Sequence, residues 1–241
     1  MVEKTSQFFE TYQSLKKALV ENRKKLQPLS FEERKEIFSK IDEYKKAINT
    51  LIMEGSDVAF EQYAKKLFDM SLDIISTSLL NDAIKFDKLS DEARLNFAQT
   101  FITQIANRFD VVPNKVVYQA DLPKELGGGY EHKNDNIYLN KMFEEKKYLF
   151  ELQYFIGTLL HEFTHYLYVK YPEKSPVGKE KAIAAVMEDR TTGYRDLEDY
   201  KQKPFEVPAY YVQDYFEKHE FDKQLKLRIQ KIKQSVDLGR S

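Results

Sequence analysis

The chain has 241 residues, with 38 Lys and Arg against 39 Asp and Glu, and its 8 Gly and 7 Pro are about half the share usual in a soluble protein. A hydrophobic content of 42%, including 17 Phe and 16 Tyr, is enough for a sizeable core and excludes a disordered or collagen-like chain. The lack of Cys excludes disulfides, Cys-ligated zinc, iron–sulfur clusters and a thiol nucleophile, and a formal net charge of -1 gives no overall field for gripping nucleic acid or anionic lipid.

In the first ninety residues the pattern is helical. Phe8, Tyr12, Leu15 and Leu19 recur at helical spacing and predict one amphipathic helix. A break at Gln27, Pro28 and Leu29 leads to Ser30 and, three residues on, Glu33, the pattern of a capping box. The helix it starts carries the stripe Ile37, Ile41, Tyr44, Ile48 and Leu51. Gly55 and Ser56 supply a stop and a new start before Phe60, Tyr63, Leu67 and Met70, which predict a third helix running toward Leu80. These three helices are expected to form an antiparallel bundle, a helical N-terminal module over residues 1–88.

A second domain is expected over residues 89–241. Ser90 caps a helix carrying Phe97, Phe101 and Ile105, and the β-rich stretch Lys115 to Gln119 starts a small sheet. Gly127, Gly128 and Gly129 read as a turn or mobile loop, because the run lacks the Lys-Ser or Lys-Thr of a phosphate loop. His132 beside it reads as a surface histidine. Asn136 to Asn140 alternates polar and apolar residues as a half-buried strand should. Glu151 to Lys170 predicts a core helix with an almost unbroken apolar surface, and a shorter helix is expected from Lys179 to Glu188. Leu225, Ile229, Ile232 and Val236 mark a last amphipathic helix, whose Lys223, Lys226, Arg228, Lys231 and Lys233 form a solvated face. The fold class is α+β, mostly helical, with a small β-sheet.

Inside the core helix stands His161-Glu162-Phe163-Thr164-His165. One helical turn separates the two imidazoles, so both leave the same face and can grip one cation. Glu162 lies roughly 60 to 100° round the helix from them, near such an ion without binding it. Without Cys, a metal here must be held by His and carboxylates, and the other two imidazoles of the chain are His132 and His219. Two buried imidazoles and a carboxylate on an apolar helix cost several kcal/mol unless something binds them.

His161 to His165 resembles the helix signature of the zincin-like metallopeptidases, and the order of helix, short sheet, strand and core helix from about Ser90 to the C-terminus is similar to that family. The resemblance implies a zincin-like metallopeptidase domain holding Zn2+ through His161 and His165. Tyr166, Leu167, Tyr168 and Val169 replace the Gly-containing extension of the metzincin branch, so the likeness is to the gluzincin type, in which a downstream carboxylate is the third ligand. Two candidates stand for that role. Glu206, in Pro204-Phe205-Glu206-Val207-Pro208-Ala209, resembles the element that opens the second metal-binding helix of small gluzincins, and the helix start there suits an acid. Glu188 is the rival, at a distance from His165 similar to that in larger enzymes, and Glu206 is preferred.

The resemblance also implies hydrolysis of peptide bonds by a water on zinc that Glu162 activates as base. Asn136, Tyr138 and Asn140 resemble the edge strand above the zinc in that family, which pairs with an extended peptide substrate. The expected partner is a peptide or protein, with no nucleic acid and no membrane, and the oligomeric state is open. The opening MVEKTSQFFETYQ lacks the apolar run of a signal peptide, and no window approaches the ~18 apolar residues of a membrane span, so a cytoplasmic location is expected. The alternative readings are a non-catalytic regulatory or binding protein on the same fold, and a helical scaffold in which the metal motif is accidental.

Overall fold

The structure is a computed structural model that describes residues 2–25, 30–119, 122–124, 126–141, 151–191 and 197–238. Its elements are α1 (Val2–Lys24), α2 (Phe31–Met53), α3 (Asp57–Ser78), α4 (Leu80–Ile84), a 3-10 turn (Phe86–Lys88), α5 (Asp91–Phe109), β1 (Lys115–Gln119), β2 (Gly128–Glu131) and β3 (Asn136–Asn140), followed by α6 (Leu152–Lys170), a second 3-10 turn (Pro172–Lys174), α7 (Lys179–Thr191), α8 (Leu197–Lys201), α9 (Val207–Lys218) and α10 (Phe221–Leu238). The expected α+β class, mostly helical with a small sheet, is what these elements make. No helix among the described residues is long and apolar enough to cross a membrane.

Local chemistry accounts for several boundaries. The backbone N–H of Ser30 donates to Glu33 at 2.9 Å, completing the expected capping contact before α2. Ser90 Oγ accepts from the backbone N–H of Ala93 at the start of α5, and Asp110 ends that helix in the left-handed region at φ 55°. The break expected at Gln27, Pro28 and Leu29 lies outside the described residues.

The helices sort into two cores. Tyr12 and Leu19 of α1, Ile41, Ile48 and Ile52 of α2, and Ala182, Ala185 and Val186 of α7 close around Tyr168 and Phe205. The larger core joins α3, α5, the sheet, α6, α9 and α10. The three-helix bundle expected over residues 1–88 therefore does not form: α1 pairs with α2, whereas α3 packs against α9, α10 and α5. The physical reason is the breadth of the apolar surface on α3. Phe60, Tyr63, Ala64, Leu67, Phe68, Leu72, Ile74 and Ile75 are all buried, which is more than one stripe and demands partners on several sides.

The sheet has the order β1-β3-β2. β1 and β3 run parallel with Lys115 opposite Asn136, and β2 runs antiparallel to β3 with Gly128 opposite Leu139. β3 is thus the middle strand, contrary to the edge position expected for Asn136 to Asn140. Its backbone hydrogen bonds are taken up on both sides, so no peptide can be added there. The outer strand beside α6 is β2, built from the Gly128 and Gly129 that the sequence suggested were loop. A β-carbon on Gly128 would lie 2.8 Å from the Tyr138 carbonyl oxygen of β3 and 3.1 Å from Thr158 Cγ2, so only glycine lets the strand run this close to its neighbour and to the core helix.

Candidate metal centre

α6 is buried along nearly its whole length, from Phe155 to Tyr168, because it has neighbours all round. β2 covers one side, and α9 crosses another where Gly157 meets Gln213; a β-carbon on Gly157 would be 3.3 Å from Gln213 Cγ. The Tyr63 hydroxyl of α3 sits 3.2 Å from Thr164 Oγ1, which donates to the Leu160 carbonyl at 2.8 Å. These contacts fix α6 on both sides of His161 and His165.

Glu206 immediately precedes α9. Its backbone N–H donates to the Lys203 carbonyl at 2.9 Å, and its own carbonyl accepts from Tyr210 N–H at 2.9 Å, so the side chain is held at the mouth of a helix. Pro208 falls in the first turn, where a missing N–H costs nothing. Ala209 is fully buried, consistent with the close packing expected of a small residue there.

The side chains of His161, His165 and Glu206 converge, and all three are buried. His161 Nε2 is 3.3 Å from Glu206 Oε2, and His165 Nε2 is 3.4 Å from the same oxygen. Both separations are longer than a good N–H···O hydrogen bond. These two separations match the edge of a tetrahedron whose corners lie about 2.0 to 2.1 Å from its centre, about 3.3 to 3.4 Å, whereas the three ligand atoms as a set lie within 4.8 Å of one another, so an ion would draw them closer together. The donor set, two imidazoles and a carboxylate, is one that could hold a divalent ion.

Burial opposes charge on Glu206, and the two imidazoles facing it more than reverse the effect, holding its carboxyl below the usual range. Glu162, buried beside them, responds the other way. Desolvation dominates, His161 offsets part of it, and the carboxyl is pushed up to about 7.

Comparison with protein-family models, with curated proteins and with solved structures returns no match.

Of the two candidate third ligands, Glu206 is the one at the imidazoles. Glu188 is buried in the other core, where it accepts from the Tyr12 hydroxyl at 2.8 Å and pairs with Lys16 Nζ at 2.6 Å. The three residues expected to meet substrate on an edge strand lie on the middle strand instead, and two of them have other partners. Asn140 is buried and donates through Nδ2 to the Pro123 and Leu126 carbonyls, and the Tyr138 hydroxyl donates to Glu131 at 2.6 Å. His132 is not a surface histidine. It is half-buried against Tyr130 and Phe205, and burial lowers its pKa.

Two tyrosines complete the surroundings. The Tyr210 ring meets His161 edge-on at 4.7 Å, and burial next to Glu206 and Glu162 pushes its hydroxyl up to about 12. Tyr200 of α8 is hydrogen-bonded to Glu206, and burial, reinforced by that carboxylate, raises its hydroxyl further. The sequence offers Tyr200, Tyr210, Tyr211 and His219 as possible neutral donors without ranking them, and Tyr210 has the better local signal, one helical turn beyond Glu206. Tyr200 has no such signal, because it sits on a separate short helix.

Proposed function

We propose that this chain is a zinc-dependent metallopeptidase with a zincin-like catalytic domain of gluzincin type. The observation that carries this reading is the convergence of His161 Nε2 and His165 Nε2 on Glu206 Oε2, at 3.3 and 3.4 Å, with Glu162 buried on the same helix. His161, His165 and Glu206 would hold the ion, which when bound polarises a carbonyl group and makes water acidic near neutral pH.

The remaining roles belong to the chain's own groups. Glu162, buried on the same helix as the two imidazoles, is placed to accept the proton of the attacking water and return it to the departing amine. The hydroxyls of Tyr210 and Tyr200 keep their protons at neutral pH and supply hydrogen-bond donors beside Glu206. Tyr200 uses its donor to orient the Glu206 carboxylate. Of the two outer strands of the sheet, β1 and β2, it is β2 that runs beside Glu162, a position that suits pairing with an extended peptide. The substrate class supported is therefore a peptide or protein.

The test is zinc content and peptide cleavage measured on the same preparation. The expected result is about one zinc per chain, cleavage of a peptide library detected by mass spectrometry, and Glu162→Gln protein that keeps its zinc and loses cleavage. A chain that takes up no zinc at saturation overturns the metal reading. Full zinc with no cleavage by the unaltered protein favours a non-catalytic binding role.

A further inference from the structure

Ligand imidazoles need a second contact. The torsion that turns an imidazole about its Cβ–Cγ bond is broad, so a metal-binding histidine is ordinarily held by a hydrogen bond from its other ring nitrogen to a carbonyl or carboxylate. Here both distal nitrogens, His161 Nδ1 and His165 Nδ1, are buried and have no hydrogen-bond partner among the described residues. The rings are fixed by aromatic surfaces instead. Phe205 lies face to face on His165, with centroids 4.2 Å apart and planes 19° from parallel. His161 is met edge-on by Tyr210 at 4.7 Å and by His165 itself at 4.8 Å.

Phe205 is well placed to act as a rigid plate. It is 5% exposed and belongs to the core shared by α1, α2 and α7, and Tyr168 packs edge-on against it at 6.1 Å. It is also the residue just before Glu206, so one short segment delivers both a carboxylate and the surface that orients a partner imidazole. Motion of that segment would disturb two of the three gathered groups together.

We infer that Phe205 is a positioning residue for the metal centre, its ring holding the His165 imidazole in the ligating orientation that a hydrogen bond at Nδ1 would otherwise fix. The inference rests on the metal-centre reading proposed above. It assigns a function to an apolar side chain that touches neither substrate nor ion. Its signature is kinetic: loss of the ring frees the imidazole to rotate away and speeds release of the ion.

The full chain loaded with cobalt(II) tests this through the rate of metal loss to excess chelator and the visible absorption of the bound ion. Phe205→Leu keeps apolar bulk and removes the ring, Phe205→Met does so with a more adaptable side chain, and Phe205→Tyr restores the ring. The expected result is release about 10- to 100-fold faster with a changed cobalt spectrum for Leu and Met, the scale for losing an outer-shell contact, and recovery in Tyr. Melting of the metal-free proteins identifies any variant whose core is disrupted, and Met stands in for Leu if Leu fails to fold. Release at the unaltered rate from the folded Leu or Met protein overturns the inference, as does equal acceleration in Tyr. Absence of metal from the unaltered chain is a different failure, that of the metal-centre reading itself.

Discussion

Gly128 and Glu162 are in near contact: a β-carbon on the glycine would stand 3.4 Å from Glu162 Cγ as well as 2.8 Å from the Tyr138 carbonyl oxygen. The outer strand is thus pressed against the side chain proposed as base. Gly128→Ala should push β2 away from β3, where the Tyr138 backbone oxygen cannot yield as the tip of a side chain can, and away from Thr158 and Glu162 of α6 as well. The expected cost is about 1 to 3 kcal/mol in urea unfolding, the usual penalty of overpacking. Peptide cleavage should fall as well, since Glu162 and the strand move apart. Unchanged stability would mean that the strand is free to shift.

Metal loading should be visible in stability. A ligand that binds only the folded chain adds about 4 kcal/mol at a concentration 1,000 times its dissociation constant. In a protein of this size that is on the order of 10 °C in Tm. Scans with zinc and with EDTA should differ by this order, and His165→Ala should remove the difference. Equal melting with and without zinc would contradict the fit of the three groups to an ion.

The two buried glutamates should behave oppositely. Glu206→Gln takes a negative ligand from between two imidazoles and should lower zinc content at limiting metal. Glu188→Gln should leave zinc content unchanged and weaken the attachment of α1, because Tyr12 and Lys16 lose the carboxylate they share. Tyr12→Phe should cost about 1 to 3 kcal/mol by removing a hydrogen bond to a buried charge. Elemental analysis and melting on these three proteins separate the roles.

Asp73 ties three helices together, accepting from Arg108 of α5 and, at 2.9 Å, from Arg228 of α10. The hydrogen bond from Arg108 leads in lowering the Asp73 carboxyl below its ordinary value. A carboxyl lowered by folding contributes stability that is complete above the unfolded pKa of about 4 and is lost as pH falls through the folded one. Asp73→Asn should therefore be less stable at neutral pH, and the difference should close below about pH 4. The group is partly exposed and screened, so the expected loss stays under about 1 kcal/mol and shrinks with salt. A difference that persists at acid pH would point to packing rather than charge.

The helices and the three gathered groups were legible because their signals are local. The period of Leu152 to Leu167, the one-turn spacing of His161 and His165, and the helix start at Glu206 each depend on neighbouring residues. Strand order does not. The alternation in Asn136 to Asn140 is the same for a middle strand and an outer one, and only pairing on both sides tells them apart. Gly128 and Gly129 read as loop because glycine is a poor strand former, and the reason for Gly128 lies in its close approach to the Tyr138 carbonyl of β3 and to Thr158 and Glu162 of α6. The same holds for α3, whose stripe announced an amphipathic helix without saying that its partners would be α9 and α10 rather than α1 and α2. His132 is half-buried between Tyr130 and Phe205, and the second of these contacts is one that no local pattern encodes.

The ligands proposed for the ion come from α6 and from the residue that opens α9, with α7 and α8 lying between them in sequence. An ion seated there would act as a removable cross-link, closing a long loop of chain at one point. Taking it out would leave the fold's covalent path unchanged and release a clasp between α6 and the start of α9. The same chain would then exist in a tight and a loose form, chosen by the supply of metal.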